Sequence, residues 1–138
     1  MATWKLNELS EKMKDLDICM LSTQTIDGQI NARPMSNNGD VEYDGNSFFF
    51  TYDESDVAKE IEDNEQVTLS FNGQNNLFIA VLGEAELVRD KEEMEDHWQE
   101  DLEQWFKDGL DTPGIVMIHT RASKIRYWEG EEQGEISV

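Results

Sequence analysis

Leu6, Leu9, Met13 and Leu16 recur at helical spacing with charged residues between them, so residues 4–16 read as an amphipathic helix. The period then changes. Ile18 to Thr25 fits a strand, Asp27-Gly28 is a hairpin turn signal, and a second strand follows from about Gln29 to Asn37. Gly39 and Asp44-Gly45 punctuate the next stretch. Asn46 to Tyr52 carries the apolar run Phe48-Phe49-Phe50, which predicts a strand buried on both faces. Asp53 to Asn64 returns to a helical pattern, with Val57, Ala58 and Ile61 inward and acids outward.

Val67, Leu69 and Phe71 alternate as a fourth strand, and Leu77 to Val88 predicts a fifth with a bulge or close approach at Gly83. Asp90 and Glu93 have capping-box spacing at the start of a helix expected to reach about Phe106. Met94, Trp98, Leu102 and Trp105 would line its apolar face. Ile115 to Trp128 predicts a final strand, interrupted near Arg121-Ala122-Ser123, and the acidic tail from Glu129 is expected to fray. Hairpin-joined strands with inserted helices argue for an α+β, mainly β fold: an antiparallel barrel or sheet in a single domain over residues 1–138. The regular strand–helix alternation of a parallel doubly wound fold is missing, as is a Gly-rich phosphate loop.

Composition narrows the classes. With 38% hydrophobic and 30% charged residues the chain is globular rather than disordered. No apolar run approaches the roughly 18 residues of a membrane span, and the N-terminus lacks a basic-then-apolar signal pattern. Cys19 stands alone, which suits a reducing compartment, so the expected location is cytoplasmic. Thirty-one acids against eleven bases give a formal net charge of −20. No basic face is available to displace counterions, which argues against nucleic acid and against anionic membranes as partners. The acidity reads in two ways: as an ordinary solvated surface, or as a surface suited to a salty medium that screens its self-repulsion.

Two positions resist a purely structural reading. Arg33-Pro34-Met35 sits inside a predicted strand, where proline belongs at an edge or bulge and leaves backbone groups open to a ligand. The planar fork of arginine suits a phosphate, although, taken alone, a solvent-facing edge-strand arginine in an ordinary ion pair is the favoured explanation of Arg33. At Phe50-Thr51-Tyr52-Asp53-Glu54-Ser55, a buried strand delivers two hydroxyls to a helix N-terminus. That is a ready anion site, although a serine there is most often just an N-cap.

In this order, Cys19-Met20-Leu21-Ser22-Thr23, Ala32-Arg33-Pro34-Met35 and Phe48-Phe49-Phe50-Thr51 resemble the FMN-binding split-barrel proteins related to pyridoxamine 5′-phosphate oxidase. Trp105-Phe106-Lys107-Asp108-Gly109-Leu110-Asp111-Thr112-Pro113 and Tyr127-Trp128 are similar to its general stress protein 26 subgroup. The resemblance implies a six-stranded split barrel with flanking helices, forming a homodimer with two FMN sites at the subunit interface. By the same resemblance Arg33 reaches the FMN phosphate, backbone around Pro34 and Met35 meets the isoalloxazine, and Phe50, Thr51 and Ser55 line the ribityl phosphate. Trp105 and Trp128 are the candidates for aromatic contacts supplied across the interface, with core or interface packing as their plainer role.

One departure stands out. The family usually has a lysine two residues after the serine, and this chain has Val57. Lys59 lies two residues on, roughly 200° around the helix, and does not take its place. A lost charge-assisted bond of about 1.5–3 kcal/mol would make FMN binding weak or let another flavin, FAD, compete. Three functions follow from the resemblance: a flavin-dependent oxidoreductase involved in stress response, a flavin-storing or flavin-sensing module without turnover, and a dimeric stress protein with a degenerate flavin site. His97 and His119 lack partners at ligand spacing, so no metal site is expected. Cys19 is expected to be a buried, inert thiol, and Met20, Met35 and Met117 read as core or ring-facing packing. No residue stands out as a catalytic acid or base.

Overall fold

The computed structural model describes residues 4–36 and 42–138. The expected end of the second strand at Asn37 and the turn signal at Gly39 lie outside the described residues. The elements run α1 Leu6–Met13, β1 Ile18–Gln24, β2 Ile30–Ser36, β3 Asn46–Tyr52, α2 Asp56–Asp63, β4 Gln66–Asn72, β5 Leu77–Val88, α3 Lys91–Asp96, β6 Ile115–Glu129 and β7 Glu132–Ser137. Short 3₁₀ turns cover Glu100–Gln104 and Gly109–Asp111. Among the described residues, no helix is long and apolar enough to cross a membrane.

All strand pairs are antiparallel, in the order β2-β1-β4-β5-β6-β3, and β7 adds to the second half of β6. Cys19 and Leu21 from β1 share one buried cluster with Phe49 from β3, at the other end of that order. The sheet therefore curls around a single core, which also holds Leu69, Ile79, Val81, Ile125 and Tyr127. β3 is packed on both faces: Phe49 enters this core, and Phe50 joins a second cluster with Val88, Met94, Phe106 and Met117. Gly83 marks a register shift between β5 and β6, with Leu82 opposite Lys124 and Gly83 opposite Ala122. A Cβ at Gly83 would fall 2.0 Å from the Arg121 carbonyl oxygen, so only glycine permits that approach. The bulge absorbs Ser123 and β6 continues through the interruption expected near Arg121-Ala122-Ser123.

Two expectations are corrected. The tail is not frayed: β7 pairs with β6 from Lys124↔Ser137 to Glu129↔Glu132, and Ile136 packs on the core. Gly134 makes this possible, because the Tyr127 phenol lies where its Cβ would be. The helix from Asp90 also stops at Asp96 rather than near Phe106. Its last turn carries acids and no base, which opposes the helix dipole. Aromatic packing then takes over. His97 stacks on Phe48 with centroids 3.5 Å apart, and Trp98 meets Phe50 edge-on at 5.0 Å. The apolar face shifts accordingly: Phe106 is buried, whereas Trp105 is 57% exposed.

Candidate functional site

β2 is an edge strand whose residues are exposed or half-buried from end to end. That position tolerates Pro34, whose missing N–H costs no ladder bond on the open side. Arg33 is held within the molecule. Its Nη1 donates to Thr23 Oγ1 at 2.7 Å and to the Leu21 carbonyl at 3.2 Å, and its Nη2 donates to Glu60 Oε1 at 3.1 Å. Thr23 also donates to Glu60 Oε1 at 2.6 Å, and Asn31 Nδ2 donates to Glu60 Oε2 at 3.0 Å. The Arg33 and Glu60 side chains are 21% and 14% exposed. Burial works against charge on Glu60. Hydrogen bonds from Thr23, Asn31 and Arg33, with the Arg33 charge, outweigh it and hold the carboxyl below the usual range.

The β3–α2 junction brings its hydroxyls together. Thr51 Oγ1 donates to Ser55 Oγ at 3.1 Å, and Ser55 Oγ caps α2 by accepting the Ala58 N–H at 3.3 Å. Around them Asp53, Glu54 and Asp56 are exposed acids. Arg89, on the far side, donates to Asp53 at 2.5 Å and to Glu62 at 3.3 Å. Val57 is buried in the main core and Lys59 points to solvent, so neither supplies a cation at this junction.

Of the eight residues singled out in the sequence, Pro34, Met35, Phe50, Thr51 and Trp105 border one cleft of about 720 Å³. It lies between β2, β3 and the segment after α3, with Phe48, Tyr52 and Phe106 adding aromatic walls, Leu102 an aliphatic one, and Lys14, Asp17 and Asp101 charged groups. That volume falls within the roughly 300–1,000 Å³ of small-molecule sites. Arg33, Ser55 and Trp128 lie outside the lining. Trp128 sits on β6 opposite Phe78 and Gln133, with the Arg126 guanidinium 5.2 Å from its ring. A second cavity of about 400 Å³ adjoins the first, sharing Lys14, Phe48 and Gln99.

Sequence reasoning missed Glu60 and weighed the two histidines only as metal ligands. Glu60 is one acid among many, and only the contact of α2 with β1 and β2 singles it out. His97 and His119 both stack on Phe48, and His119 Nε2 lies 2.8 Å from Asn46 Oδ1. Burial, then the Arg121 charge, lowers the His119 pKa against the opposing pull of Glu86. Burial also pushes the Cys19 thiol up to about 12, which leaves it unreactive. Met117 is buried as expected and Met35 borders the cleft, but Met20 is 40% exposed on the outer sheet face rather than packed in the core.

The model of the pyridoxamine 5′-phosphate oxidase-like family matches residues 5–138. The chain belongs to this family. Its fold is shared with a Clostridium acetobutylicum protein related to general stress protein 26 of B. subtilis (19% identity, TM-score 0.83, covering 96% of this chain and 94% of that one). The general stress protein 26 of Bacillus anthracis is also similar (20% identity, TM-score 0.77, 95% of this chain and 99% of that one). So is a heme-binding protein from Mycobacterium smegmatis (11% identity, TM-score 0.78, 99% of this chain and 60% of that one). At these identities the likeness is one of fold. No curated protein matches the sequence.

Within this family, the two parts of a flavin meet different receptions here. The aromatic cleft fits a flat tricyclic ring. The donor set expected for a phosphate does not fit: Arg33 is bonded to a carboxylate, the lysine position is Val57, and the helix start is ringed by acids.

Proposed function

We propose that this protein binds a flavin, with the isoalloxazine ring in the cleft bordered by Pro34, Met35, Phe50 and Trp105, and serves in flavin-dependent redox chemistry. The observation that carries this reading is the aromatic cleft itself, of ring-compatible volume, at the edge strand of a family member. A bound flavin would supply the redox chemistry, and the protein would orient it and exclude water. Thr51 and Ser55, already in a hydroxyl chain, are placed to meet a ribityl tail.

The site is proposed to be completed by a second copy of the chain. Pro34, Met20, Ser70, Ala80 and Arg126 follow one another across five strands on the outer sheet face. Beside that row, Ile18 and Phe78 are 55% and 46% exposed, an apolar patch of the kind that marks an interface. Ile18 and Pro34 also border the cleft, so the patch and the cleft are continuous. Trp128, on the same face, would reach a cleft only across a two-fold axis.

The absorbance spectrum of protein purified after addition of flavin, read from the near-ultraviolet to the blue, tests the reading. Retained flavin near one per chain supports it, and complete loss on gel filtration overturns it. Anaerobic reduction by NAD(P)H then separates the two remaining roles: steady turnover marks an oxidoreductase, and bound flavin without turnover a storage or sensing module.

A further inference from the structure

We propose that the cleft selects a flavin without its phosphate, a ring with a neutral polyol tail of the riboflavin class, over FMN. This rests on the flavin reading above and deepens it. Arg33, the residue that the family resemblance would put on a ligand phosphate, is already engaged by the Glu60 carboxylate at 3.1 Å. That carboxylate accepts from Thr23, Asn31 and Arg33 together, a satisfied cage closed within one chain. A phosphate dianion approaching Arg33 would have to displace that carboxylate or lie beside it, and like charges at such range repel strongly where water is scarce. The pair is also neutral as a whole, so it offers no surplus charge.

The other half of the expected grip is equally closed to anions. Ser55 is used as the cap of α2, Val57 is turned into the core, and Asp53, Glu54 and Asp56 surround the helix start. Arg89 is shared by Asp53 and Glu62. On the cleft's own lining, Lys14 is outnumbered by Asp17 and Asp101, and Thr51, bonded to Ser55 just outside the lining, presents a neutral hydroxyl suited to a polyol. The long-range field adds to this, since a net charge of −20 opposes any dianion and leaves a neutral ligand unaffected.

The test is titration of the full, flavin-free chain with riboflavin and with FMN, followed by quenching of flavin fluorescence, at low and at molar KCl. Riboflavin is expected to bind about tenfold more tightly at low salt, and the gap to narrow without closing at high salt, because screening acts on the distant charges more than on the cage. Glu60→Gln should strengthen FMN binding by roughly tenfold and leave riboflavin within about twofold. Should that variant melt early, Asp56→Lys on the exposed first turn of α2 is expected to move FMN in the same direction and riboflavin not at all. FMN binding tighter than riboflavin in the unmodified chain overturns the selectivity while leaving the flavin reading intact, as does a ratio that neither variant changes. Binding of neither flavin overturns both.

Discussion

The region along β2 has two ends built from different materials, the cleft bordered by Pro34 and Met35 and, outside its lining, the network around Arg33. At the ring end, Phe50, Phe106 and their neighbours form a small cluster held by burial alone. At the other end, Arg33, Thr23, Asn31 and Glu60 form a network whose members are all satisfied by one another. Apolar burial is non-directional and leaves an open wall for any flat ring of suitable size. A closed polar network is directional, and a ligand can use it only by replacing one of its members. Under the proposed flavin reading, the cleft would keep a wall for the ring while Arg33, expected to meet the phosphate, is taken up by internal structure.

The largest effect should come from the apolar end. Phe106 is 6% exposed and touches both Tyr52 and Trp98. Phe106→Ala is expected to cost about 3–4 kcal/mol in urea denaturation, because the cavity cannot collapse onto the irregular segment that follows α3. A cost below about 1 kcal/mol would mean that this cluster is not a structural wall.

The polar end should respond less, and in a coupled way. Arg33→Ala removes three hydrogen bonds and leaves Glu60 with one charge-neutralising partner fewer, at an expected cost of about 2 kcal/mol. Glu60→Ala should cost a similar amount. The double variant should cost clearly less than the sum, with a coupling of roughly 1–2 kcal/mol. Additive costs would show that the network is a set of independent surface contacts.

How much of this contrast was legible in the sequence follows from the range of the interactions. Strands β1 to β6 come from local alternation and turn signals, which is why Val67-Thr68-Leu69-Ser70-Phe71 and the Asp27-Gly28 hairpin are plain. The same is true of the Ser55 cap, a contact across three residues. β7 was hidden although it is joined to β6 by a two-residue turn, because the tail is acid-rich with little apolar alternation and the packing of Tyr127 over Gly134 is what selects a strand there. The early stop of α3 depends on Phe48 and Phe50, more than forty residues before it. Arg33 was visible as a scarce residue in an unusual setting, and both its readings were open. Choosing between them required the α2–β1 packing that brings Glu60 to it, a contact no local pattern encodes.

Acid titration sharpens the same comparison with a smaller effect. Glu60 has a folded pKa below its unfolded value, so its contribution is fully present above the ordinary glutamate range, near pH ~4.3, and is lost as pH falls through the depressed folded value. Stability measured from neutral pH downward should therefore fall less steeply in Glu60→Gln than in the unmodified chain at the acid end. Phe106→Ala should keep the full acid slope from its lower starting point. Parallel curves for all three proteins would remove Glu60 from the acid response.

Salt should give the smallest change, and it reaches both ends through the surface rather than through either network. Thirty-one acids and eleven bases repel on average, and repulsion between exposed charges is screened within about 10 Å at 0.1 M salt. Raising KCl from low to molar concentration is expected to increase the melting temperature by several degrees, since about 1 kcal/mol corresponds to roughly 4 °C in a domain of this size. The gain should be the same in Phe106→Ala, whose defect is uncharged. It should be nearly the same in the Arg33/Glu60 double variant, which removes one charge of each sign and leaves the net charge unaltered. A melting temperature that falls with salt would refute a surface suited to a saline medium, and a gain confined to the chain with an intact Arg33–Glu60 pair would move the salt response from the surface into the network.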